Sequence, residues 1–449
     1  MIQRERYINK IKPFIGKDVI KVLTGIRRSG KSIMLRLIQE EILRQGVTET
    51  QFISFNFESM ENADFCTASS LYPELKKRIS SIQGKVYLFF DEIQEVEQWE
   101  KCINFVRADF DCGIYITGSN AKLLSGELAT YLGGRYVEFV VFPFSFEEYL
   151  ESIKQEKEEF SVTEEFKNYL EMGGMPFLVN LRYDKDASMQ YLRDIYNSVL
   201  LKDVVQRNNI RDVELLERMI LYLLDNVGHS FSARSISNYL KQENRKVSTE
   251  TILNYIKACC DAYLFIKLRR EDIQGKKILS ANEKYYSVDH GLRESILGTN
   301  ARNIDQILEN IVCMELLRRG YTVTIGKNGE KEIDFIAQKN KDKLYIQVAY
   351  LLAGSGTIER EFGIYDSIRD HYPKYVLSLD EFDMSRNGIK HLNIRDFLIS
   401  KATANGLSYS HRVMEDGKEN FSKSRRVEFK IKTTAEAHIN DILEAGGFN

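Results

Sequence analysis

The sequence predicts an α/β fold built on a parallel β-sheet, and three observations support that prediction. Apolar segments with the length of strands alternate with helical periodicity throughout residues 15–145, a pattern typical of a sheet covered by helices on both faces. A glycine-rich loop at residues 25–32 separates the first strand from its helix. The acids Asp91 and Glu92 close an unbroken apolar strand, as in a central parallel strand buried on both faces.

The glycine-rich loop fits the pattern G-x-x-x-x-G-K-[ST] at every fixed position. Gly25 and Gly30 let the backbone adopt positive φ and approach a phosphate closely. The loop N–H groups and the N-terminus of the following helix then attract an anion. Lys31 is predicted to reach the β- and γ-phosphates, and the Ser32 hydroxyl to ligate Mg²⁺.

The predicted nucleotide contacts come from this loop and from the end of a later strand. They are Gly25, Arg27, Arg28, Ser29, Gly30, Lys31, Ser32, Ile33 and Ser119. Arg27 and Arg28 contact either the nucleotide or a neighbouring subunit, and the sequence leaves both alternatives open.

Catalytic chemistry is predicted at the ends of two strands. Asp91 is suited to hold Mg²⁺ through water, and Glu92 to orient and deprotonate the attacking water. An acid pair after a strand is otherwise a helix cap or a turn. Ser119 and Asn120 follow the buried strand that begins at Cys112, where they would touch the γ-phosphate or the attacking water. The alternative for this polar pair is a turn with a helix N-cap.

A helix from Leu123 to Leu132 and a strand from Tyr136 to Phe142 are predicted next, joined through Gly133, Gly134 and Arg135. Five stretches then resemble a prokaryotic family of AAA-type ATPases that has a nuclease-like C-terminal domain of unknown function. They are residues 25–32, 89–92, 117–120, 132–136 and 142–149. The resemblance implies ATP as the nucleotide and a catalytic arginine finger or sensor at Arg135, which would offset charge developing on the γ-phosphate. A surface ion pair is the alternative for Arg135.

The resemblance covers residues 1–399. Together with changes in the pattern of predicted helices and strands along the chain, it predicts five segments. They are an AAA-type ATPase core at 1–144, a helical lid at 145–209, a winged helix-turn-helix at 210–298, a restriction-endonuclease-like domain at 299–399 and an atypical tail at 400–449. The turn from Gly173 to Pro176 resembles the lid turn of the family. Three helices followed by two strands give the order of a winged helix. A strand within residues 418–431 resembles the end of an outer-membrane-protein-A-type domain, followed by a helix at 435–443.

The nuclease-like domain is predicted not to cleave. Its resemblance implies a helix glutamate, a strand aspartate and an acid-x-lysine on the next strand, which together hold a cation and polarise the phosphodiester. Glu309 and Asp334 match the first two positions. The third stretch has Gln347 in place of the acid and Ala349 in place of the lysine.

Composition narrows the class of protein. The net charge of the 449 residues is −2, so nucleic-acid contact requires a local basic patch. Residues 234–277 offer one, with ten basic and five acidic residues. No apolar run of about 18 residues indicates a membrane span. The six cysteines show no C-x-x-C spacing and are expected to be buried and reduced in the cytoplasm.

The predicted function is Mg²⁺-dependent binding and hydrolysis of ATP, coupled to a protein or DNA partner. The alternative is a nucleotide-switched DNA-binding regulator with little turnover. Glu92 favours the first, because a pure switch does not require a catalytic acid. Oligomeric state and the identity of the client stay open at this stage.

Overall fold

We describe a computed structural model of the chain. The described residues are 2–121, 134–242, 247–273, 275, 277–298, 303–329, 331–352 and 354–400, with two short strands beyond them. Residues 1–399 form one compact unit and residues 400–449 a second.

The first sheet contains five parallel strands in the order β2-β3-β4-β1-β5. The strands are β1 (Ile20–Thr24), β2 (Phe52–Asn56), β3 (Val86–Asp91), β4 (Cys112–Thr117) and β5 (Tyr136–Val140). All residues of β1 and β4 are buried, and β3 is buried up to its last residue, Asp91. This arrangement confirms the predicted parallel α/β sheet.

Helices cover both faces of this sheet. They are α1 (Glu5–Ile11), α2 (Lys31–Arg44), α3 (Ala68–Ser80) and α4 (Trp99–Asp109). One hydrophobic cluster packs Leu75 and Ile103 of α3 and α4 on one face, and another packs Tyr7 and Ile38 of α1 and α2 on the other. The apolar residues of α2 recur at helical spacing, which explains why one side of that helix is buried. The predicted helix at 123–132 lies outside the described residues.

Residues 145–298 are mainly helical. They contain α5 (Phe146–Lys154), α6 (Val162–Met172), α7 (Lys185–Ser198), a π-helix (Val199–Gln206), α8 (Val213–Asp225), α9 (Ala233–Gln242), α10 (Thr249–Asp261) and α11 (His290–Leu297). One hydrophobic cluster joins α7, α8, α10 and α11 to Ile26 of the glycine-rich loop. The helices predicted within 210–264 are present, and the core that they share with α7 makes the lid continuous with them.

The second sheet has seven strands in the order β12-β11-β10-β9-β8-β6-β7. The strands are β6 (Phe265–Asp272), β7 (Lys277–Ser287), β8 (Thr322–Asn328), β9 (Lys331–Lys339), β10 (Asp342–Val348), β11 (Lys374–Ser378) and β12 (Lys390–Asn393). It is accompanied by α12 (Ile304–Arg318), α13 (Ser355–Gly363) and α14 (Ile394–Ile399).

This sheet crosses the predicted boundary between the winged helix and the nuclease-like domain. β6 and β7 form the predicted hairpin, and β6 also pairs in parallel with β8 through residues 270–272. The hairpin is therefore an edge of the larger sheet and no free-standing wing. The boundary at 298–299 and the winged-helix assignment stay predictions.

In the second unit the structure describes only the antiparallel strands β13 (Met414–Glu415) and β14 (Lys418–Glu419). The predicted continuation of a strand to residue 431 and the predicted helix at 435–443 lie outside the described residues.

Candidate nucleotide site

The glycine-rich loop joins β1 to α2 at the carboxyl edge of the first sheet. Gly25 has φ 138° and Gly30 has φ 96°, a region that favours glycine. A Cβ at residue 25 would lie 2.3 Å from the carbonyl oxygen of Val141, so this position also excludes larger residues on steric grounds. Arg28 has φ 68°, and a positive φ in a residue with a long side chain is strain typical of ligand-binding loops.

Lys31 begins α2 and its ammonium points into the loop. The Nζ donates to the carbonyl oxygens of Gly25 and Ile26, both at 3.2 Å. It also lies 3.6 Å from Oε1 of Glu92. The cation that the motif predicts is thus held inside the loop, next to the predicted catalytic acid.

The two acids at the end of β3 are fixed by a threonine of the neighbouring strand. The Thr117 hydroxyl donates to Oδ1 of Asp91 at 2.6 Å and accepts from the N–H of Glu92 at 2.8 Å. The Ser32 side chain lies close enough to Asp91 to lower the pKa of that carboxyl group. Glu92 has φ 53°, a strained conformation of the kind found at functional sites.

The environment sets the two carboxyl groups apart. Burial raises the pKa of Asp91 above its usual value, against the opposing effects of Ser32 and Thr117. For Glu92, burial also raises the pKa, but the charge of Lys31 and a hydrogen bond from Gln94, with other nearby cations, leave it below the usual value. Glu92 is therefore ionised at neutral pH, as a general base requires.

The donor set fits Mg²⁺. A carboxylate and a hydroxyl are hard oxygen ligands, and Asp91 and Ser32 supply both as neighbours in the structure. Among the described residues, no group of three or more His, Cys, Asp or Glu side chains could hold a metal ion. This is consistent with a site in which protein ligands are few and phosphate and water complete the shell.

The remaining predicted residues occupy two positions around the loop. Ser119 and Asn120 are buried directly after β4, and the Ser119 hydroxyl donates to Asp203 at 3.1 Å. Arg27 lies in the loop, and Ile33 is exposed in the first turn of α2. The structure therefore brings the polar strand end close to the loop.

Arg135 lies elsewhere. It is exposed and immediately precedes β5, where its carbonyl accepts from the N–H of Ile20 at the start of β1. The loop follows the other end of β1, about 16 Å away for a five-residue strand. The structure therefore places Arg135 away from the loop of its own chain, and its role as an arginine finger or sensor stays a prediction.

Asp203 of the π-helix is a site residue that sequence analysis missed. Its side chain is fully buried and its Oδ2 accepts from Nε of Arg27 at 3.0 Å. Its Oδ1 accepts from Ser119 and lies 3.3 Å from Nε of Arg207. Arg27 pairs in addition with Glu58 at 2.8 Å. One carboxylate of the predicted lid thus connects the loop to the end of β4.

Arg4 is the second missed residue. It is 3% exposed and donates to the carbonyl oxygens of Ser29 and Phe142 at 3.0 and 2.7 Å. Its charge is paired with Glu148, with Nε to Oε1 at 2.9 Å. A buried, fully bonded guanidinium of this kind fixes the backbone that it contacts, here the middle of the glycine-rich loop.

The predicted nuclease-like acids also lie together, but around an internal cation. Lys284 of β7 lies 3.3 Å from Glu309 and 2.7 Å from Glu332. The side chain of Gln347 accepts from the N–H of Asp334 at 3.2 Å. The lysine ammonium, supplied by the predicted winged-helix hairpin, thus pairs with Glu309, one of the two acids that a cleaving enzyme would use for a metal.

The sequence and the fold of the chain are similar to those of known proteins. A sequence model of the AAA domain matches residues 17–150, and a model of a domain of unknown function matches residues 163–303. An uncharacterized protein of Haemophilus influenzae is 39% identical over 400 residues, covering 89% of this chain and 99% of that protein. An uncharacterized protein of Methanocaldococcus jannaschii is 33% identical over 365 residues, covering 78% and 79%. Among solved structures, a Walker-type ATPase of Pyrococcus abyssi is 16% identical with a TM-score of 0.46, covering 66% of this chain and 96% of that one.

The parallel sheet and its phosphate-binding loop define the class as an α/β P-loop protein with the fold of a nucleotide-binding ATPase. Within that class, the chain belongs to the AAA-type family that includes the Haemophilus and Methanocaldococcus proteins. In the described part of the chain, none of the helices combines the length and apolarity needed to span a membrane.

Proposed function

We propose that the protein is an Mg²⁺-dependent ATPase that couples its nucleotide state to a protein or DNA partner. The supporting observation is that Lys31, Asp91 and Glu92 gather at the phosphate-binding loop while Asp203 of the predicted lid bonds to Arg27 of the same loop. A change of phosphate charge at the loop would alter the Arg27–Asp203 pair directly. Coupling to the helical region is therefore built into the nucleotide site.

Each residue has a distinct role in this proposal. Asp91 and Ser32 hold Mg²⁺, which offsets the negative charge of the phosphates when bound. Glu92 orients the attacking water and accepts its proton. Ser119 and Asn120 lie on the side of the nucleotide site that would hold the γ-phosphate. Because of its distance from its own loop, Arg135 would reach only the nucleotide of a neighbouring subunit in an oligomer.

The direct test is hydrolysis by the Lys31→Ala variant. Loss of the ammonium removes the main charge on the β- and γ-phosphates, so phosphate release should fall at least about a hundredfold. Lys12→Ala is the matched control, because Lys12 pairs with Glu41 at the surface and should leave turnover unchanged. Chelation of Mg²⁺ should abolish turnover in the unmodified protein. Full activity of Lys31→Ala would reject the proposal.

The second candidate is a nucleotide-switched DNA-binding regulator. Arg234, Lys241 and Lys257 are exposed on α9 and α10, which favours phosphate contacts. Lys267 of the same basic segment pairs with Glu283 at 3.2 Å, which reduces the net charge of this patch. Turnover measured with and without duplex DNA, over a range of salt, separates the candidates. A slow rate unaffected by DNA, with salt-dependent DNA binding that follows nucleotide state, would favour the regulator.

We further propose that the nuclease-like domain does not cleave nucleic acid. Lys284 pairs with Glu309, one of its acids, and Gln347 and Ala349 occupy the positions of the second acid and the lysine. Plasmid DNA incubated with the protein and Mg²⁺ or Mn²⁺ should therefore stay intact. Nicking that is lost in an Asp334→Asn variant would contradict this expectation.

A further inference from the structure

A cavity of about 240 Å³ lies beside β5, the edge strand of the first sheet. Its walls come from α1, from β5 and the residues after it, and from the end of α12. None of the residues that line it belongs to the phosphate-binding loop. The cavity is therefore distinct from the proposed nucleotide site.

Arg318 at the end of α12 lines this cavity, and the charges of Glu315 and Glu148 favour its charged form without forming an ion pair with it. Its side chain is 94% buried, since only 6% of the residue is exposed, and its Nε has no hydrogen-bond partner. No ion pair joins its guanidinium to any residue that the structure describes. Glu315, one turn earlier, is already paired with Arg6 at 2.8 Å and with Arg319 at 2.7 Å. A buried donor without a partner is costly, and an external anion would satisfy the Nε of Arg318.

A second cation lines the same cavity. Lys10 of α1 donates from Nζ to the carbonyl oxygen of Arg318 at 2.9 Å, which uses one of its three donors. Burial, together with the positive charges of Lys339 and Arg6, lowers the pKa of Lys10.

The single acid in the lining, Glu138, has other hydrogen-bond partners. Oε1 of Glu138 accepts from the hydroxyls of Thr24 at 2.6 Å and Tyr263 at 3.0 Å. That carboxylate is therefore engaged with β1 and with the helical region. The rest of the lining is mainly apolar and aromatic, with Tyr7, Phe139 and Leu317 among its residues.

We propose that this cavity binds a small organic anion whose phosphate or carboxylate group pairs with Arg318 and Lys10. Its apolar body would pack against Tyr7, Phe139 and Leu317. Arginine provides planar, bidentate donors for such groups, and a mostly apolar cavity with a few convergent polar groups is typical of small-molecule sites.

The test is calorimetric titration of the full chain with phenyl phosphate and with benzoate, which share an aromatic body and differ in the anionic group. At least one should bind with a stoichiometry of one per chain. Arg318→Met should weaken that binding at least about tenfold, as expected for loss of a hydrogen bond between charged groups. Lys10→Met should weaken it less. Lys12→Met, a lysine of the same segment outside the cavity, should have no effect.

One further variant and one thermal measurement separate the proposed cavity site from the nucleotide site. Lys31→Ala should leave probe binding unchanged, because its ammonium serves the phosphate-binding loop, and this holds whether or not the protein hydrolyses ATP. Arg318→Met replaces a buried charge with an apolar side chain, and the probe should no longer raise the thermal midpoint of that variant. Absence of saturable binding to the unmodified chain would overturn the proposal. So would binding that survives Arg318→Met but is lost in Lys31→Ala.

Discussion

The molecule contains two clusters of acids around a lysine, and the two lysines differ in the partners that balance their charge. At the end of β3, Lys31 contacts two loop carbonyls and lies 3.6 Å from Glu92. On the second sheet, Lys284 lies within 3.3 Å of two glutamates, and Tyr286 donates to one of them, Glu309, at 2.6 Å. The first lysine is held loosely by neutral oxygens and one acid. The second is saturated by charged partners.

The location of each cluster explains the difference. The first lies at the carboxyl edge of a parallel sheet, where open α/β folds bind ligands, and in our proposal Lys31 exchanges its loop carbonyls for phosphate oxygens. The second is closed by β7, which delivers Lys284 among the acids. Burial and the charge of Glu309 raise the pKa of Asp334 well above its usual value, so this acid is poorly suited to hold a divalent ion.

The comparison teaches that residue type alone does not define a metal or phosphate site. The first cluster leaves its charge to be completed by a ligand, whereas the second completes it within the protein. The largest expected effect, therefore, comes from altering the acid of the first cluster. Glu92→Gln should reduce ATP turnover by about 10²–10⁴-fold, the range for loss of a general base.

Binding provides the control for that variant. Because Lys31 and the loop glycines are unchanged, Glu92→Gln should still bind a non-hydrolysable ATP analogue, measured by calorimetry. Glu309→Gln, the counterpart in the second cluster, should leave turnover at the level of the unmodified protein. Equal loss in both variants would remove the distinction between the clusters.

The second cluster is expected to matter for stability. Lys284→Met removes a buried cation and leaves the partly buried Glu309 without its ion-pair partner, and removal of one partner of a buried pair costs about 3–5 kcal/mol. Urea denaturation should show this as a lower free energy of unfolding, while Lys77→Met on the exposed side of α3 should show almost no change.

The pKa of Lys284 determines the pH range over which this difference in stability should be observed. Burial lowers the pKa of Lys284, but the surrounding acids outweigh burial and raise it above the usual lysine value. Its contribution to stability is thus fully present below the pKa of an unfolded lysine and is lost as the pH rises through the higher folded value. The difference between the two proteins should shrink only in strongly alkaline solution. A difference that disappears near neutral pH would contradict the ion-pair explanation.

Sequence analysis identified the loop and the acids at the end of β3 because their signals are local. Gly25 to Ser32 are contiguous, and the buried strand before Asp91 is visible as an apolar run. The direction of the strand that follows Arg135 could also have predicted where this residue lies in the sheet. A residue just before a parallel strand lies at the amino edge of the sheet, opposite to a loop that follows the neighbouring strand.

The missed residues have no local signal. Arg4 meets Glu148 across 144 positions, and Asp203 meets Arg27 across 176. The pairing of β6 with β8 is equally long-range, which is why a hairpin assigned to one domain belongs to the sheet of the next. Such contacts depend on tertiary packing, and neither periodicity nor motif spacing encodes them.

Asp203→Asn tests the link between the first cluster and the helical region. Neutralising the carboxylate removes a charged hydrogen bond to Arg27, worth about 1.5–3 kcal/mol. Turnover or apparent ATP affinity should therefore change by about tenfold or more, and nucleotide should no longer protect residues 145–209 from limited proteolysis. Asp194→Asn, on the exposed side of α7, is the control. Unaltered kinetics and protection would show that the pair is only structural.

The smallest expected effect concerns the two neighbouring acids of the first cluster. Burial raises the folded pKa of Asp91 above its unfolded value, so its contribution to stability is present below the unfolded pKa and is lost as the pH rises through the folded one. Glu92 is the reverse, because Lys31 and Gln94 outweigh burial and lower its folded pKa.

Without nucleotide at pH 7, Asp91→Asn should therefore raise the thermal midpoint, although it weakens Mg²⁺ binding, whereas Glu92→Gln should lower the midpoint. The Asp91 difference should vanish as the pH falls below about 4, where unfolded carboxyl groups are protonated, whereas the Glu92 difference should vanish only as the pH falls through its lowered folded pKa. Thermal scans of the two variants between pH 3 and 7 measure this directly. Shifts of the same sign would show that the environment does not move the pKa values of Asp91 and Glu92 in opposite directions. The electrostatic difference between the first and the second cluster would then lose its support.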